Sequence, residues 1–203
     1  MSRESDLRER VKEQHRRPPR RKQWRPVAQE EMLPATVVLG LDQSLTSTGW
    51  VLMQVLHGIV QVHAKGTVKT PRIDGRGHAL TLARGHALRR ELEALDRRLA
   101  KDPDLPRPRV VVAEQTPVMG YRLESSLLAG FVVGEIWPDV AYVANNTASA
   151  MFLPPDQRAE KKHTKALVPD RLTIGHGRWN EHERDALMLA MARLHLLRKE
   201  LWP

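Results

Sequence analysis

Residues 36–50 read TVVLGLDQSLTSTGW, and this stretch decides the fold class. Its opening part, 36–42, is an almost continuous apolar run that ends in a carboxylate, the pattern of a central strand buried on both faces. Segments 49–56 and 59–68 are rich in β-forming residues and are separated by a His-Gly pair, which predicts a tight hairpin turn. Three successive strands are therefore expected at the start of the folded domain.

Downstream of these strands, the sequence alternates between helical and strand patterns. Leucines spaced three or four residues apart predict a long helix over 77–100, and RVVVAE at 109–114 is a second buried strand that ends in a carboxylate. This order of elements predicts an α/β sheet with helices on its faces. The remaining predicted elements are a helix over 124–137, a strand over 140–144, short helices over 146–153 and 160–168, and a final helix over 180–199.

The overall composition is that of a globular domain. The 203 residues suffice for one domain with its own core, since 41% of them are hydrophobic. The absence of cysteine excludes disulfides, cysteine-based zinc sites and a thiol nucleophile. No run approaches the roughly 18 apolar residues of a membrane helix, and the first residues lack the apolar core of a signal peptide. We therefore expect a soluble, cytoplasmic protein with no membrane partner.

Most of the net charge of +9 lies in the N-terminal segment. Residues 1–26 contain ten Lys and Arg against four Asp and Glu, so six of the nine excess charges are there. A composition change near 32–36 predicts a flexible basic arm over 1–34, followed by the folded domain over 35–203. Such an arm is typical of binding to nucleic acid, although a solubilising extension or a targeting signal has the same composition. The basic residues of its acid-free part are Arg16, Arg17, Arg20, Arg21, Lys22 and Arg25.

Two buried strands that end in carboxylates, Asp42 and Glu114, indicate a site at one edge of the sheet. Ligands of open α/β sheets bind outside the strand ends, whereas a single acid there is more often a helix cap or half of a salt bridge. Two such acids at comparable positions favour a functional site. The hydroxyl-rich turn over 43–48 offers backbone amides and side chains that can hold a phosphate oxygen or a metal-bound water.

The final helix contributes a third group of candidate residues. His182 and Asp185 are three residues apart and share one face of its first turn. The helix dipole accounts for Glu181 and Glu183. It does not account for Asp185, which directly precedes the apolar run ALMLA. Three carboxylates and a histidine predict a hard-cation site for two Mg²⁺ or Mn²⁺ ions, which can stabilise both oxygens of an in-line phosphoryl displacement. With the basic arm, this chemistry predicts metal-dependent hydrolysis of phosphodiesters.

Three motifs give the sequence a family resemblance. LGLDQSLTSTGW, VVVAEQTP and NEHERDALMLAMA resemble, in order and spacing, the signatures of RuvC-like Holliday junction resolvases of the phage and bacterial type, within the RNase H-like superfamily. The resemblance covers about residues 36–198. It implies an RNase H-like nuclease domain with a mixed five-stranded sheet, three strands in an antiparallel meander plus two parallel strands, flanked by helices. It also implies a structure-selective endodeoxyribonuclease that resolves four-way DNA junctions by paired phosphodiester hydrolysis in a bacterial or phage-infected cell.

The resemblance also implies roles for particular residues. Lys161 or Lys162 would be a phosphate contact or an electrostatic stabiliser of the transition state, although a solvated helix face explains both lysines equally well. Helix 124–137 would form a homodimer interface, in which its small residues allow close approach, namely Ser125, Ser126, Ala129, Gly130 and Gly134. The implied metal-binding tetrad is Asp42, Glu114, His182 and Asp185.

The sequence departs from the family pattern in three places, the first of which is the basic arm, since the compact family domain has no counterpart to it. Family members often carry an aromatic residue shortly after the second acid, where it wedges into the junction, and here Tyr121 or Met119 stands in that region. A Pro-Gly pair is common after the first acid, and here Gln43 and Ser44 replace it, which changes the turn and leaves Asp42 in place.

Other classes of function are open from the sequence. An RNase H-like nuclease that trims ribosomal RNA precursors is one alternative, which RNA hairpins tested against four-way DNA would separate. A non-catalytic junction-binding or DNA-binding protein is another, opposed by the intact acids, since buried carboxylates are costly without a metal or partner. A sugar-kinase-like or actin-like ATPase needs a second lobe, for which 203 residues leave no room, so no nucleotide cofactor is expected.

Overall fold

A single mixed sheet organises the part of the chain that the computed structural model describes, residues 25–115, 123–156 and 177–201. Its strands are β1 (Val38–Asp42), β2 (Ser47–Leu56), β3 (Ile59–Lys69), β4 (Val110–Glu114) and β5 (Ala141–Val143). They lie in the order β3-β2-β1-β4-β5. The first three strands are antiparallel neighbours, whereas β4 runs parallel to β1 and β5 runs parallel to β4. The predicted fold class, an RNase H-like mixed sheet with a meander and two parallel strands, is confirmed.

The helices flank this sheet. They are α1 (Gly77–Lys101), α2 (Leu123–Ile136), α3 (Asn145–Phe152) and α4 (Glu181–Leu201). Every predicted element within the described residues is present, with ends displaced by at most two residues, and the predicted helix over 160–168 lies outside them. The hairpin turn between β2 and β3 is also as predicted, because His57 and Gly58 both take left-handed conformations, with φ of 50° and 72°. Among the described helices, none is both long and apolar enough to cross a membrane.

Each face of the sheet carries its own apolar core. Helices α3 and α4 cover one face, where residues such as Val38 and Met53 meet Leu189 and Phe152. Helices α1 and α2 cover the other face, where Leu39 is one of the residues that pack against the leucines of α1. All five residues of β1 are buried, as expected for a central strand whose side chains alternate between two covered faces.

Gly40 sets the position of α4 on the sheet. A Cβ atom at this position would lie 2.2 Å from the carbonyl oxygen of Ala186 and 3.0 Å from the Cβ atom of Ala190. The backbone of α4 therefore crosses β1 in direct contact, an approach that only a glycine in the strand permits. Because of this contact, the first turn of α4 lies near the end of β1, which is Asp42.

The packed part of the chain begins before the predicted boundary at residue 35. Met32 is only 1% exposed and belongs to the core under α4. The backbone N–H of Val27 donates to the carbonyl of Met151, and that of Leu33 donates to the carbonyl of Leu194, both at 3.0 Å. Residues 25–34 thus lie on the domain. Residues 1–24 are outside the described part of the chain, so the flexibility of the arm stays a prediction there.

Candidate active site

The two strand-terminal acids and the first turn of α4 meet at one edge of the sheet. The parallel ladder between β1 and β4 ends where Leu41 pairs with Ala113, so Asp42 and Glu114 follow side by side. From α4, the Nδ1 atom of His182 lies 2.6 Å from Oδ2 of Asp42. Asp185 is one of the most deeply buried polar residues, with 3% of its surface exposed. We call Asp42, Glu114, His182 and Asp185 the acid–histidine site.

The carboxylates of this site repel one another. The pKa of Glu114 is raised to about 7, mainly by burial and in addition by the neighbouring charges of Asp42 and Asp185. A hydrogen bond from Asn145, the first residue of α3, acts in the opposite direction. Three elements therefore bring three acids within electrostatic reach of one another, as the sequence predicts. Their catalytic and metal-binding roles stay predictions.

The chemistry of these side chains fits a divalent cation. Carboxylate oxygens are the ligands that Mg²⁺ and Mn²⁺ accept, and a positive charge beside Glu114 would offset the burial and the neighbouring negative charges that raise its pKa. Across 25–115, 123–156 and 177–201, however, no three His, Asp or Glu side chains are already gathered as a metal-ligand cluster. His182 instead contacts the carboxylate of Asp42, a pairing that metal binding would have to rearrange.

Gln43 joins the ends of β1 and β4, a role that the sequence does not predict. Its side-chain oxygen accepts the backbone N–H of Glu114 at 2.9 Å, and its side-chain nitrogen donates to the backbone carbonyl of the same residue. The amide thus continues the ladder where the strands end, and it fixes the backbone that carries the Glu114 side chain. The available signal was an amide residue directly after a strand-terminal acid.

The hydroxyl groups of the 43–48 turn are used within the turn. Ser44 Oγ accepts the backbone N–H of Ser47 at 3.0 Å and donates to the carbonyl of Ser47 at 2.8 Å. Thr48 Oγ1 donates to the carbonyl of Ser44 at 3.2 Å. These bonds stabilise the turn that leads from Asp42 into β2, and the expectation that the turn holds a phosphate oxygen or a metal-bound water stays a prediction.

The beginning of α4 is held in place by groups from the sheet. A Cβ atom on Gly49 would lie 2.2 Å from the carbonyl carbon of His182, so the helix backbone contacts β2 directly. Lys65 of β3 forms a buried ion pair with Glu183, with 2.7 Å between Nζ and Oε2. The helix dipole alone, which the sequence offers as the reason for Glu183, therefore does not account for it.

Most of the predicted nucleic-acid contacts lie outside the described residues. Arg25 is the exception, and its exposed guanidinium donates to the carboxylate of Glu31. The predicted residues outside the described part of the chain are Arg16, Arg17, Arg20, Arg21, Lys22, Tyr121, Lys161 and Lys162.

The outer face of α2 exposes large apolar side chains. Leu127 and Phe131 are 54% and 63% exposed, and they line a groove of about 530 Å³ together with Tyr142 of β5. Of the small residues that the sequence assigns to close approach, Ala129 and Gly130 are buried in this chain, and the other three are half-buried: Ser125, Ser126 and Gly134. Gly130 and Gly134 also line the groove. We call Leu123, Leu127, Phe131 and Tyr142 the apolar α2 face.

Comparison with solved structures places the fold among resolvases. Thermus thermophilus RuvC in complex with a Holliday junction substrate superimposes with a TM-score of 0.56 at 17% identity, over 81% of this chain and 96% of that one. A second T. thermophilus RuvC structure gives 0.55 at 18% identity, over 81% and 97% of the two chains. The yeast mitochondrial Holliday junction resolvase Ydc2 gives 0.54 at 9% identity, over 83% and 84%.

These similarities define the class of fold. The chain has the RuvC-like form of the RNase H-like fold, so the fold that the motif resemblance implies is confirmed. No protein-family model matches the sequence, and no curated protein sequence matches it either.

Proposed function

We propose that this protein is a metal-dependent endodeoxyribonuclease that cuts four-way DNA junctions. The observation that carries the proposal is the meeting of Asp42, Glu114, His182 and Asp185 at one edge of a RuvC-like sheet. The RuvC structure with the highest TM-score quoted above is a complex with a Holliday junction substrate, which makes branched DNA the substrate to test first.

The acid–histidine site would hold Mg²⁺ or Mn²⁺, two ions in the proposed mechanism, through its carboxylate oxygens and the imidazole of His182. When bound, such ions supply an activated water and stabilise the charge that develops on the phosphate. Glu114 is only partly ionised at neutral pH in the metal-free site, because its pKa is about 7. We expect Glu114 to lose its proton when positive charge enters. Gln43 keeps the Glu114 backbone fixed during that change.

A homodimer would give the two cuts that resolution needs. A four-way junction presents two equivalent strands, and a twofold dimer presents two active sites in matching orientation. The apolar α2 face supports this assembly, since Phe131 and Leu127 expose large apolar surface beside a groove. In the proposed complex, the basic residues of the arm and Lys161 or Lys162 contact phosphates, and Tyr121 lies at the junction centre.

The decisive experiment compares substrates at equal concentration. The purified protein is incubated with a synthetic four-way junction, linear duplex, flap DNA and a structured RNA hairpin, each with Mg²⁺, with Mn²⁺ and with EDTA. We expect paired incisions in the junction that require a divalent ion. Preferential cutting of the RNA hairpin would favour the RNA-processing alternative. Junction binding without cutting under every metal condition would favour a binding protein.

A further inference from the structure

We propose that Lys65 and Glu183 are positioning residues, whose buried ion pair fixes the first turn of α4 and so aims His182 and Asp185 at the end of β1. Lys65 and Glu183 lie on β3 and α4, outside the acid–histidine site. This inference rests on the proposed nuclease function for its activity test only. The orientation of the first turn of α4 can be tested whether or not the protein is a nuclease.

The ammonium group of Lys65 contacts the chain on both sides of the helix start. It donates to Glu183 Oε2 at 2.7 Å and to the carbonyl of Arg178 at 2.9 Å. It also lies 4.9 Å from the ring centroid of Trp179, within the range of a cation–π contact. The Lys65 and Glu183 side chains are only 9% and 8% exposed, so solvent screens their interaction weakly. One lysine therefore holds the residues that enter α4 and the first turn itself.

The Glu183 carboxylate has a second task in the same turn. It accepts the backbone N–H of Asn180 at 3.1 Å, while the side-chain oxygen of Asn180 accepts the backbone N–H of Glu183 at 2.9 Å. This reciprocal arrangement is a capping box, which fixes where a helix begins. The Asn180 amide also donates to Thr67 of β3 at 2.7 Å. Residues 65 and 67 share one face of β3, so two neighbouring side chains of one strand hold one helical turn.

The turn held in this way contains two members of the acid–histidine site. His182 immediately precedes Glu183, and its backbone rests on Gly49 of β2. Its imidazole reaches Asp42 at 2.6 Å, and Asp185 follows two residues after Glu183 in the same turn. Rotation of the turn about the helix axis would move both side chains away from the end of β1.

Net stability does not explain the ion pair. A buried pair costs desolvation roughly equal to its attraction, and apolar residues of similar volume are often as stable in its place. The pair instead fixes the orientation of the first turn of α4, because the ammonium group contacts two oxygen atoms and one ring at once. We therefore expect loss of the pair to affect reaction geometry more than folding.

The test replaces both members by apolar residues of similar size. The double variant Lys65→Met with Glu183→Leu leaves no buried charge unpaired but removes the acceptor of the Asn180 backbone N–H, so we expect it to fold with a melting temperature only slightly below that of the wild type. We expect the single-turnover cleavage rate of bound junction to fall by about 10- to 100-fold, the effect of misplaced reacting groups, with junction affinity changed by less than about twofold. Arg193→Met with Glu200→Gln is the matched control, since that pair joins residues near the other end of α4 at 2.8 Å.

A second readout does not depend on nuclease activity. NMR of the His182 imidazole reports its contact with Asp42 through the chemical shift and solvent exchange of the Nδ1 position. We expect the double variant to lose this signature and the control to keep it. If the wild-type protein cuts no junction, the proposed function fails while this measurement still decides the positioning role.

Two outcomes would overturn the inference. One is a folded double variant that cuts junctions at the wild-type rate, and the other is an unchanged His182 signature. If the double variant does not fold, Lys65→Arg replaces it, because a planar guanidinium keeps the charge and changes the donor geometry. Folded Lys65→Arg protein with wild-type cleavage and an unaltered His182 signal would then also contradict the positioning role.

Discussion

The first turn of α4 and the outer face of α2 depart from the usual distribution of side chains in opposite directions. In the first turn of α4, Glu183 and Asp185 are buried although they are charged. On α2, Leu127 and Phe131 are exposed although they are large and apolar. Buried acids and exposed apolar patches are both uncommon in a protein that functions alone. Lys65 pairs with Glu183 within the chain, whereas we expect a cation to bind the acids at the strand ends and a second copy of the chain to cover the apolar α2 face.

We assign the first turn of α4 and the strand ends to the chemistry of the protein, and the outer face of α2 to its assembly. Burial, together with the neighbouring charges of Asp42 and Asp185, raises the pKa of Glu114, and a cation at the strand ends would offset both effects. The exposed side chains of α2 call for apolar cover, and a second copy of the chain supplies the same surface by symmetry. If this interpretation is correct, substitutions in the two regions have separable effects. The predictions below test that separation.

The largest effect is expected from Asp185→Asn. This change keeps the shape of a residue that is 3% exposed and removes the charge. We expect the cleavage rate to fall by about 100- to 1000-fold, in line with the loss of one strong electrostatic contribution to a transition state, while junction binding in mobility-shift assays is retained. Asp96→Asn is the control, because Asp96 accepts a hydrogen bond from Trp137 away from the site. A near-wild-type rate for Asp185→Asn would remove this acid from the mechanism.

The next effect concerns assembly and uses Phe131→Glu. A charge on the apolar α2 face should weaken self-association by about 2 kcal/mol or more, or roughly 30-fold, if Phe131 is central to an interface. Analytical ultracentrifugation measures the association, and we expect junction cutting to change from paired incisions to single nicks. The matched control is Ile59→Glu, since Ile59 at the hairpin is 61% exposed against 63% for Phe131. Equal behaviour of the two variants would argue against an α2 interface.

A smaller effect is expected in the pH dependence of stability. The pKa of Glu114 is raised from 4.5 to about 7 in the folded, metal-free protein. Between those values the folded state binds more protons than the unfolded state, so this group stabilises the fold at low pH and its contribution is lost as pH rises toward 7. We measure thermal melts with EDTA from pH 5 to 8. Above pH 7, we expect the free energy of unfolding of Glu114→Gln to be about 1–2 kcal/mol larger than that of the wild type.

Two controls separate this effect from general acid sensitivity. The pKa of Glu31 is lowered, mainly by its hydrogen bond with Arg25, so Glu31 stabilises the fold above its unfolded pKa and loses that contribution as pH falls. Glu31→Gln should therefore lower stability by a constant amount from pH 5 to 8, and its difference from the wild type should shrink only below the unfolded pKa of 4.5. Addition of Mg²⁺ at pH 8 should raise the wild-type melting temperature and leave Glu114→Gln less affected. An identical pH profile for Glu114→Gln and the wild type would show that the pKa of Glu114 is not raised in the folded protein.

The strand ends were predictable from the sequence because their signal is local. An apolar run that ends in an acid identifies both β1 and β4, and parallel pairing then brings Asp42 and Glu114 together. The face of α2 was not predictable in the same way. Its sequence LESSLLAGFVVGEI is apolar around most of the helix, so periodicity does not indicate which side packs inward.

The contacts that complete the site were not predictable for a related reason. Gln43 and Glu114 are 71 positions apart, and Lys65 and Glu183 are 118 apart. Such pairs depend on strand register and on the place where α4 crosses the sheet, which no single segment encodes. In the sequence, Lys65 looks like any charged residue on a half-exposed strand, and Glu183 looks like an ordinary acid in a first helical turn.

The smallest effect is expected from Gln43→Leu, which tests whether the support around the site acts on chemistry. The change removes two hydrogen bonds to the backbone of Glu114 and should cost about 1 kcal/mol of stability. We also expect cleavage to slow by about threefold to tenfold with junction affinity unchanged, because the Glu114 backbone loses its tie to β1. Gln54→Leu is the control, since Gln54 bonds only weakly at 3.3 Å to Gln61 on the exposed side of the β2–β3 pair. If both variants lose the same stability and neither slows cleavage, Gln43 supports the fold alone, and the first turn of α4 carries the positioning of the site without help from β1.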